Sequence, residues 1–243
     1  MLNDRSKQVR RDAIHISKAN GGYHYGGSFS CAEILIHLFD KIMDKEAGDR
    51  FILSKGHGCW VYYVLLREQG FNPTLEGHPH YEPENGIFCT AGSMGHGLPT
   101  AIGMALARKL KGEKNKVFVL VGDGECQEGT TWESILIASR LKLDNLVVIL
   151  DNNKIQGSGY VDEILPVDKV LIASAQAADW KVEIIDGHND DLLNVDLTPT
   201  GSPFLIVANT IKGKGVSFME NKPKWHSNWL GGELEQQAFE ELS

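Results

Sequence analysis

The sequence predicts an α/β fold with three layers, α/β/α, around a mainly parallel sheet. Three observations carry the prediction. Val117–Val121 and Leu146–Leu150 are continuous apolar runs of strand length, and such runs suit parallel strands covered on both faces. Segments of helical length alternate with strand-like runs along the chain, the order that builds a parallel sheet with helices on both sides. The 26 glycines cluster between the periodic runs, in 21–27, 56–58, 92–97, 122–129 and 212–215, where they mark close backbone approach.

Taken in order, residues 3–18 read as a helix, with Val9, Ile14 and Ile16 set among charges. The glycine run 21–27 reads as a loop. Ser30 and Glu33 have the spacing of a capping box, starting a helix that places Ile34, Leu38 and Ile42 on one face. A short strand is expected over 50–53 and a helix over 57–69. Residues 72–97 lack periodicity and are rich in Pro, Gly and His; a loop this long in a compact domain is usually functional or disordered. Helix returns at 98–110. Strand 117–121, a helix within 127–142 and strand 146–150 form the centre. A connecting segment, 154–166, leads to helix 168–179 and to strands at 181–185 and 203–208.

The 243 residues fit a single domain, 1–243, with a tail from about 217 that carries Trp225, His226 and Trp229. The net charge of −8 speaks against a nucleic-acid partner, because phosphate-backbone binding needs a basic footprint. No apolar run approaches the ~18 residues of a membrane span, so no membrane association is expected. Cys31, Cys59, Cys89 and Cys126 are scattered without a C-x-x-C pair, which suggests free thiols and a cytoplasmic protein.

The chemistry concentrates at two strand ends. Gly122-Asp123-Gly124 follows the first central strand, and Asp151-Asn152-Asn153 follows the second. Open α/β sheets bind ligands at the carboxyl ends of their strands. A carboxylate and an amide oxygen held on neighbouring ends suit a hard cation, and the flanking glycines admit a phosphate group. The bland alternative is a tight turn with Asp123 as a helix cap, since a lone short glycine motif is weak. The pairing of the two motifs after matching strands weighs against it.

The pair resembles the G-D-G…N signature of thiamine-diphosphate enzymes. That resemblance implies a PP-domain fold and a magnesium ion (or Ca2+ or Mn2+) held by Asp123, Asn153 and the Ile155 carbonyl, which in turn holds the diphosphate of the cofactor. Octahedral oxygen coordination of Mg2+ fits such a set. Further segments, in order, are similar to the N-terminal part of transketolase: Ser54-Lys55-Gly56-His57-Gly58, Gly77-His78-Pro79, Thr90–Gly97, Gly122–Gly129, Asp186-Gly187-His188, Thr210–Gly215 and Trp225-His226. By that resemblance His57, Gly124 and His226 contact the diphosphate, and Gly92 and Met94 line the thiazolium side. His24, His78 and His226 are the expected catalytic histidines, with His24 and His78 facing the substrate channel. Glu128 would join a carboxylate network linking paired active sites at a subunit interface. His15, His37, His80 and His188 read as surface or structural histidines.

Transketolases are normally much longer. The pyrimidine-binding domain, with the glutamate that protonates the cofactor ring, has no counterpart before the chain stops at Ser243. The expectation is a split enzyme: a partner subunit carrying the pyrimidine-binding domain, an α2β2 assembly and a ketol transfer that the lone chain cannot perform. Its interface is expected around loop 72–97 and the helix after Gly124. Departures from the family pattern at Tyr23, Tyr25, His96 and Ser227–Leu230 are expected on the substrate side, with the tyrosines at the channel mouth, pointing to a sugar or modified ketose rather than a standard pentose phosphate. The competing readings are the α-subunit of a 2-oxoacid dehydrogenase, which also carries G-D-G…N, and a non-catalytic relic of the fold. A nicotinamide-binding protein fits poorly, because G-x-G-x-x-G spacing is absent, and no P-loop occurs.

Overall fold

A computed structural model describes residues 2–243. Helix α1 (Asp4–Lys18) is capped by Asn3, whose side-chain oxygen accepts the Ser6 amide at 2.8 Å. Two short helices follow, α2 (Tyr25–Ser30) and α3 (Ala32–His37), which leads into a π turn over Leu38–Ile42. The expected capping box is not formed. A separate helix, α2, forms inside the glycine run expected to be a loop, α3 starts after Cys31, and the Ser30 and Glu33 side chains are engaged elsewhere. Ser30 Oγ donates to the Gly27 carbonyl at 3.1 Å and to Asp151 at 2.6 Å, and Glu33 pairs with buried Arg10 at 2.6 Å. Charge-assisted partners outcompete a backbone amide.

Strand β1 (Arg50–Leu53) leads through a 3-10 turn at Gly56–Gly58 into α4 (Cys59–Glu68). Every residue of α4 from Cys59 to Leu66 is buried, as suits a helix apolar on all sides. Residues 72–96 stay largely irregular, apart from a 3-10 turn at Pro83–Asn85 and a bridge between Glu82 and Ile87. Then come α5 (Gly97–Leu110), β2 (Val117–Gly122), α6 (Gly129–Arg140) and β3 (Leu146–Asn152). The expected connector contains a hairpin of β4 (Ile155–Gln156) and β5 (Gly159–Tyr160), then α7 (Val161–Ile164). The chain continues through α8 (Asp168–Ala177), β6 (Lys181–Asp186), β7 (Phe204–Asn209) and α9 (Glu233–Glu241).

The main sheet has the order β1-β2-β3-β7-β6 and is parallel throughout. Its strands alternate between two cores. Phe118, Leu120, Val147, Ile149, Phe204 and Ile206 pack with Val9, Ile34 and Leu65 of the first helical layer. Val117, Val119, Val148, Leu150, Leu205 and Val207 pack with Ile102, Ile135 and Leu171 of the second. This alternation is the physical content of the three-layer expectation: apolar residues at every position because each face has its own cover. Residues 217–243 also fold onto the first layer. Trp225, Leu230, Ala238 and Leu242 are buried there, and Lys18 of α1 pairs with Glu235 of α9. Among the described residues no helix is long and apolar enough to cross a membrane.

β3 runs to Asn152, two residues past its expected end, and Gly122 closes β2 opposite Asp151. The polar motif therefore starts within the ladder, with Asp151 fully buried between β2 and β7.

Candidate active site

Adjacent strands β2 and β3 end side by side and release Asp123 and Asn153 into one cavity of about 580 Å³. Ile155, Gly124, Gly92, Met94, His24, His57, His78 and His226 line the same cavity. Of the residues expected in the site, Glu128 alone lies outside it: it is exposed, at the cap of α6.

Asp123 is pinned at both oxygens. Oδ1 accepts the Gly124 amide at 2.7 Å, and Oδ2 accepts the Lys154 amide. The Lys154 backbone adopts φ +66°, a left-handed turn that bends the chain from β3 back over the cavity. Asn153 Oδ1 accepts the Ile155 amide at 3.1 Å, and the Ile155 carbonyl accepts the Lys212 ammonium at 2.9 Å. A carboxylate, an amide oxygen and a main-chain carbonyl thus belong to residues that line one cavity, and a cationic nitrogen already sits on one of them. Burial, and then the neighbouring Asp151, push the Asp123 carboxyl up to about 6. Burial and the Lys55 charge bring the Lys212 ammonium down to about 8. An added cation would relieve the Asp123 carboxylate, so the donor set fits a hard divalent ion.

Two close approaches shape the cradle. A Cβ on Gly27 would lie 2.4 Å from the His57 ring, and one on Gly124 would lie 2.8 Å from the Gln156 side chain. Gly92, with φ +127°, turns the loop that presents Met94. Four imidazoles form one wall of the cavity. His24 lies 5.8, 5.4 and 5.5 Å (ring centroids) from His57, His78 and His226, and His57 lies 4.6 Å from His226. His24 itself has φ +63°, and its Nδ1–H donates to the His226 carbonyl at 2.6 Å, leaving Nε2 as an acceptor. Burial lowers the pKa of all four, His57 well below its ordinary value and His226 to about 3. The wall is neutral near pH 7 and offers both donors and acceptors to a hydroxylated ligand.

Beneath the floor lies a buried ion pair to which the sequence patterns assign no role. Lys55 Nζ binds Asp151 and also donates to the Gly27 carbonyl at 2.8 Å. Burial opposes ionisation of Asp151, yet Lys55 and three hydrogen bonds hold its carboxyl below the ordinary range. Lys55 and Lys212 each precede a glycine in the motifs Ser54–Gly58 and Thr210–Gly215, but nothing in those motifs records the partner each meets. Glu125 is a further site residue that its sequence context does not reveal. It lines the cavity, accepts the Gly95 and Gly122 amides at 3.5 and 3.3 Å, and is pushed up to about 7 by burial.

The remaining histidines are structural or peripheral. His188 Nδ1 pairs with Glu33 at 2.8 Å, and its Nε2 accepts the Ile211 amide at 2.7 Å. His37 faces Asp190, exposed His80 pairs with Glu76, and His15 stacks on Phe239. The placement of both tyrosines at the channel mouth is corrected for Tyr25. It is fully buried with its hydroxyl on Ser17 at 2.7 Å, because it opens α2 on the face turned toward α1. His96 is exposed at the cap of α5 and does not line the cavity.

Fold and site together define a parallel α/β domain whose two central strands end in one glycine-edged cavity. A family model described as "Transketolase, thiamine diphosphate binding domain" matches residues 4–241. The chain belongs to the transketolase family. It is 36% identical to one of the subunits of an apulose-4-phosphate transketolase from Actinobacillus succinogenes, covering 99% of this chain and 95% of that one. It is also 36% identical to the 6-deoxy-6-sulfo-D-fructose transketolase subunit SqwG from a Clostridium species, over 99% and 96% of the two chains. Among solved structures, transketolase from Campylobacter jejuni superposes with a TM-score of 0.84 at 27% identity, covering 98% of this chain and 42% of that one. The chain therefore spans about two-fifths of such a full-length relative.

Proposed function

We propose that this chain is the diphosphate- and magnesium-binding subunit of a two-component transketolase-like enzyme that moves a two-carbon ketol unit from a ketose to an aldehyde. One observation carries the reading: Asp123, Asn153 and Ile155 line the same cavity as four histidines that burial keeps neutral. The cation and the diphosphate belong at the strand ends, where Asp123 supplies charge and Gly124 admits a phosphate. His57 and His226 border that end of the cavity. Thiamine diphosphate, when bound, supplies the carbon nucleophile. His24 and His78 then face the sugar, where neutral imidazoles accept and return hydroxyl protons.

Two relatives of nearly the same length are named as subunits, which supports a separate partner carrying the pyrimidine-binding half. Their names refer to apulose 4-phosphate and to 6-deoxy-6-sulfo-D-fructose, both departures from a standard pentose phosphate. A sugar or modified ketose is therefore the proposed substrate class. The test is reconstitution with the partner subunit, thiamine diphosphate and Mg2+, followed by assay against a panel of ketoses, modified ketoses and 2-oxoacids. Ketol transfer that requires both subunits and disappears in Asp123→Ala supports the proposal. Turnover by the lone chain, or decarboxylation of 2-oxoacids without ketose transfer, would overturn it.

A further inference from the structure

We propose that Asp151 is a positioning residue for the metal site, fixing the side-chain amide of Asn153 so that its oxygen, and not its nitrogen, is presented to the cation. The proposal rests on the reading of Asp123 and Asn153 as metal ligands. An asparagine amide has two nearly isosteric faces, one accepting and one donating. Turned the wrong way, Asn153 would offer N–H groups to a cation and repel it.

Asp151 decides the orientation. It stands two positions before Asn153 and is fully buried. Its Oδ2 accepts Asn153 Nδ2 at 3.0 Å and Ser30 Oγ at 2.6 Å, and pairs with Lys55 Nζ; its Oδ1 accepts Thr210 Oγ1. An ionised carboxylate can only accept, so the neighbour facing it must be a donor. The Asn153 nitrogen therefore turns inward, and Oδ1 turns to the other side, where it now accepts the Ile155 amide. Both Asp151 oxygens already carry donors, and Lys55 balances the charge. This explains why a second carboxylate so near the site is not itself a ligand. Asp151, Lys55, Ser30 and Thr210 come from four separate segments of the chain, so tertiary structure holds Asp151 in place, and the Ile155 amide two residues beyond Asn153 completes the orientation.

The proposal makes an unusual prediction for Asn153→Asp. That change adds a charge to the ligand set and on simple electrostatics would tighten metal binding. Here it sets two carboxylates against each other with no proton between them. The probe is Mn2+ with thiamine diphosphate, on the chain assembled with its partner, read by the electron-spin-resonance signal of free and bound Mn2+ alongside circular dichroism. Asn153→Asp should bind Mn2+ about 10-fold or more weakly than the native complex, the range seen when groups supporting a metal ligand are removed. Asp151→Asn, equal in shape but leaving buried Lys55 without its counter-ion, should lose stability as well as affinity, so its affinity is read at a temperature where its dichroism is native. The double variant should bind better than the product of the two single losses, because removing the Asp151 charge removes the repulsion. Equal or tighter binding by Asn153→Asp, an unchanged Asp151→Asn, or strictly multiplicative losses would each overturn the proposal. If Asn153→Asp fails to fold, the Asp151→Asn affinity decides alone. Absence of Mn2+ uptake by the native complex would overturn the metal reading and this proposal together.

Discussion

At the scale of the residue, the site is built from groups whose charge the fold controls. His226 shows the consequence for pH. Burial, then Lys212, lower it to about 3, whereas the unfolded chain takes up that proton near 6.5. The unfolded state therefore binds more protons between these values, and the folded chain loses stability as pH falls through that window. His24, His57 and His78 shift in the same direction. Asp123 and Glu125 oppose them, since their raised values favour the folded state at low pH and cost stability as pH rises toward about 6 and 7. A variant isolates the histidine contribution: the fall in melting temperature between pH 7.5 and 5 should be smaller in His226→Gln than in the native chain. An equal fall would show that His226 does not carry the effect. The buried pair gives a second expectation. Lys55→Met leaves Asp151 without its counter-ion and should cost about 3–5 kcal/mol in urea unfolding. That Asp123, Asn153 and the four histidines share one cavity was legible because they stand in spaced motifs beside glycines. Lys55 and Asp151 were not, because their contact joins residues 96 positions apart, which no local pattern records.

At the scale of the element, strands read better than short helices. β2 and β3 declare themselves because an apolar side chain is needed on both faces at every step. α2 reads as a loop because glycines lower helix propensity. It forms all the same, since those glycines are where other elements come closest. A Cβ on Gly26 would lie 2.6 Å from the main-chain oxygen of Trp225, and one on Gly27 would lie 2.4 Å from the His57 ring. The two neighbours differ in how they can respond. Trp225 offers backbone in the turn that carries His226, so Gly26→Ala should cost about 1–3 kcal/mol of stability, the usual range for overpacking. His57 offers a side chain that can swing. Gly27→Ala should therefore fold with a smaller loss of stability and instead weaken thiamine diphosphate uptake by calorimetry on the assembled complex. Reversal of this order would mean that α2 does not set the position of the histidine wall.

At the scale of the whole molecule, the cavity that the proposed function assigns to the cofactor opens toward solvent beside exposed Met94. The apolar runs of the core were legible as strands, but a docking face looks in a sequence like any exposed side chain of a helix. The structure separates the two cases. Leu136 and Ile137 of α6 stand 67% and 48% exposed on the helix that begins just after the Asp123 turn, and Met94 at the cavity mouth is 55% exposed. Glu128 caps the same helix and is also exposed, which suits a role between subunits better than one inside the cavity. If this face receives the partner, Leu136→Asp should weaken assembly without destabilising the chain alone, because the side chain has little burial to lose. Leu110, 79% exposed, provides the control. α5 spans 14 residues from Gly97, so Leu110 lies about 20 Å along its axis from the end that follows the cavity-lining Met94, at 1.5 Å of rise per residue. Leu110→Asp should leave assembly intact. Size-exclusion chromatography of each variant with the partner chain separates the outcomes. Loss of the complex in Leu136→Asp, with unchanged melting of the isolated chain, places the partner on α6; equal assembly by both variants would move the interface off this face and would require Glu128 to act elsewhere.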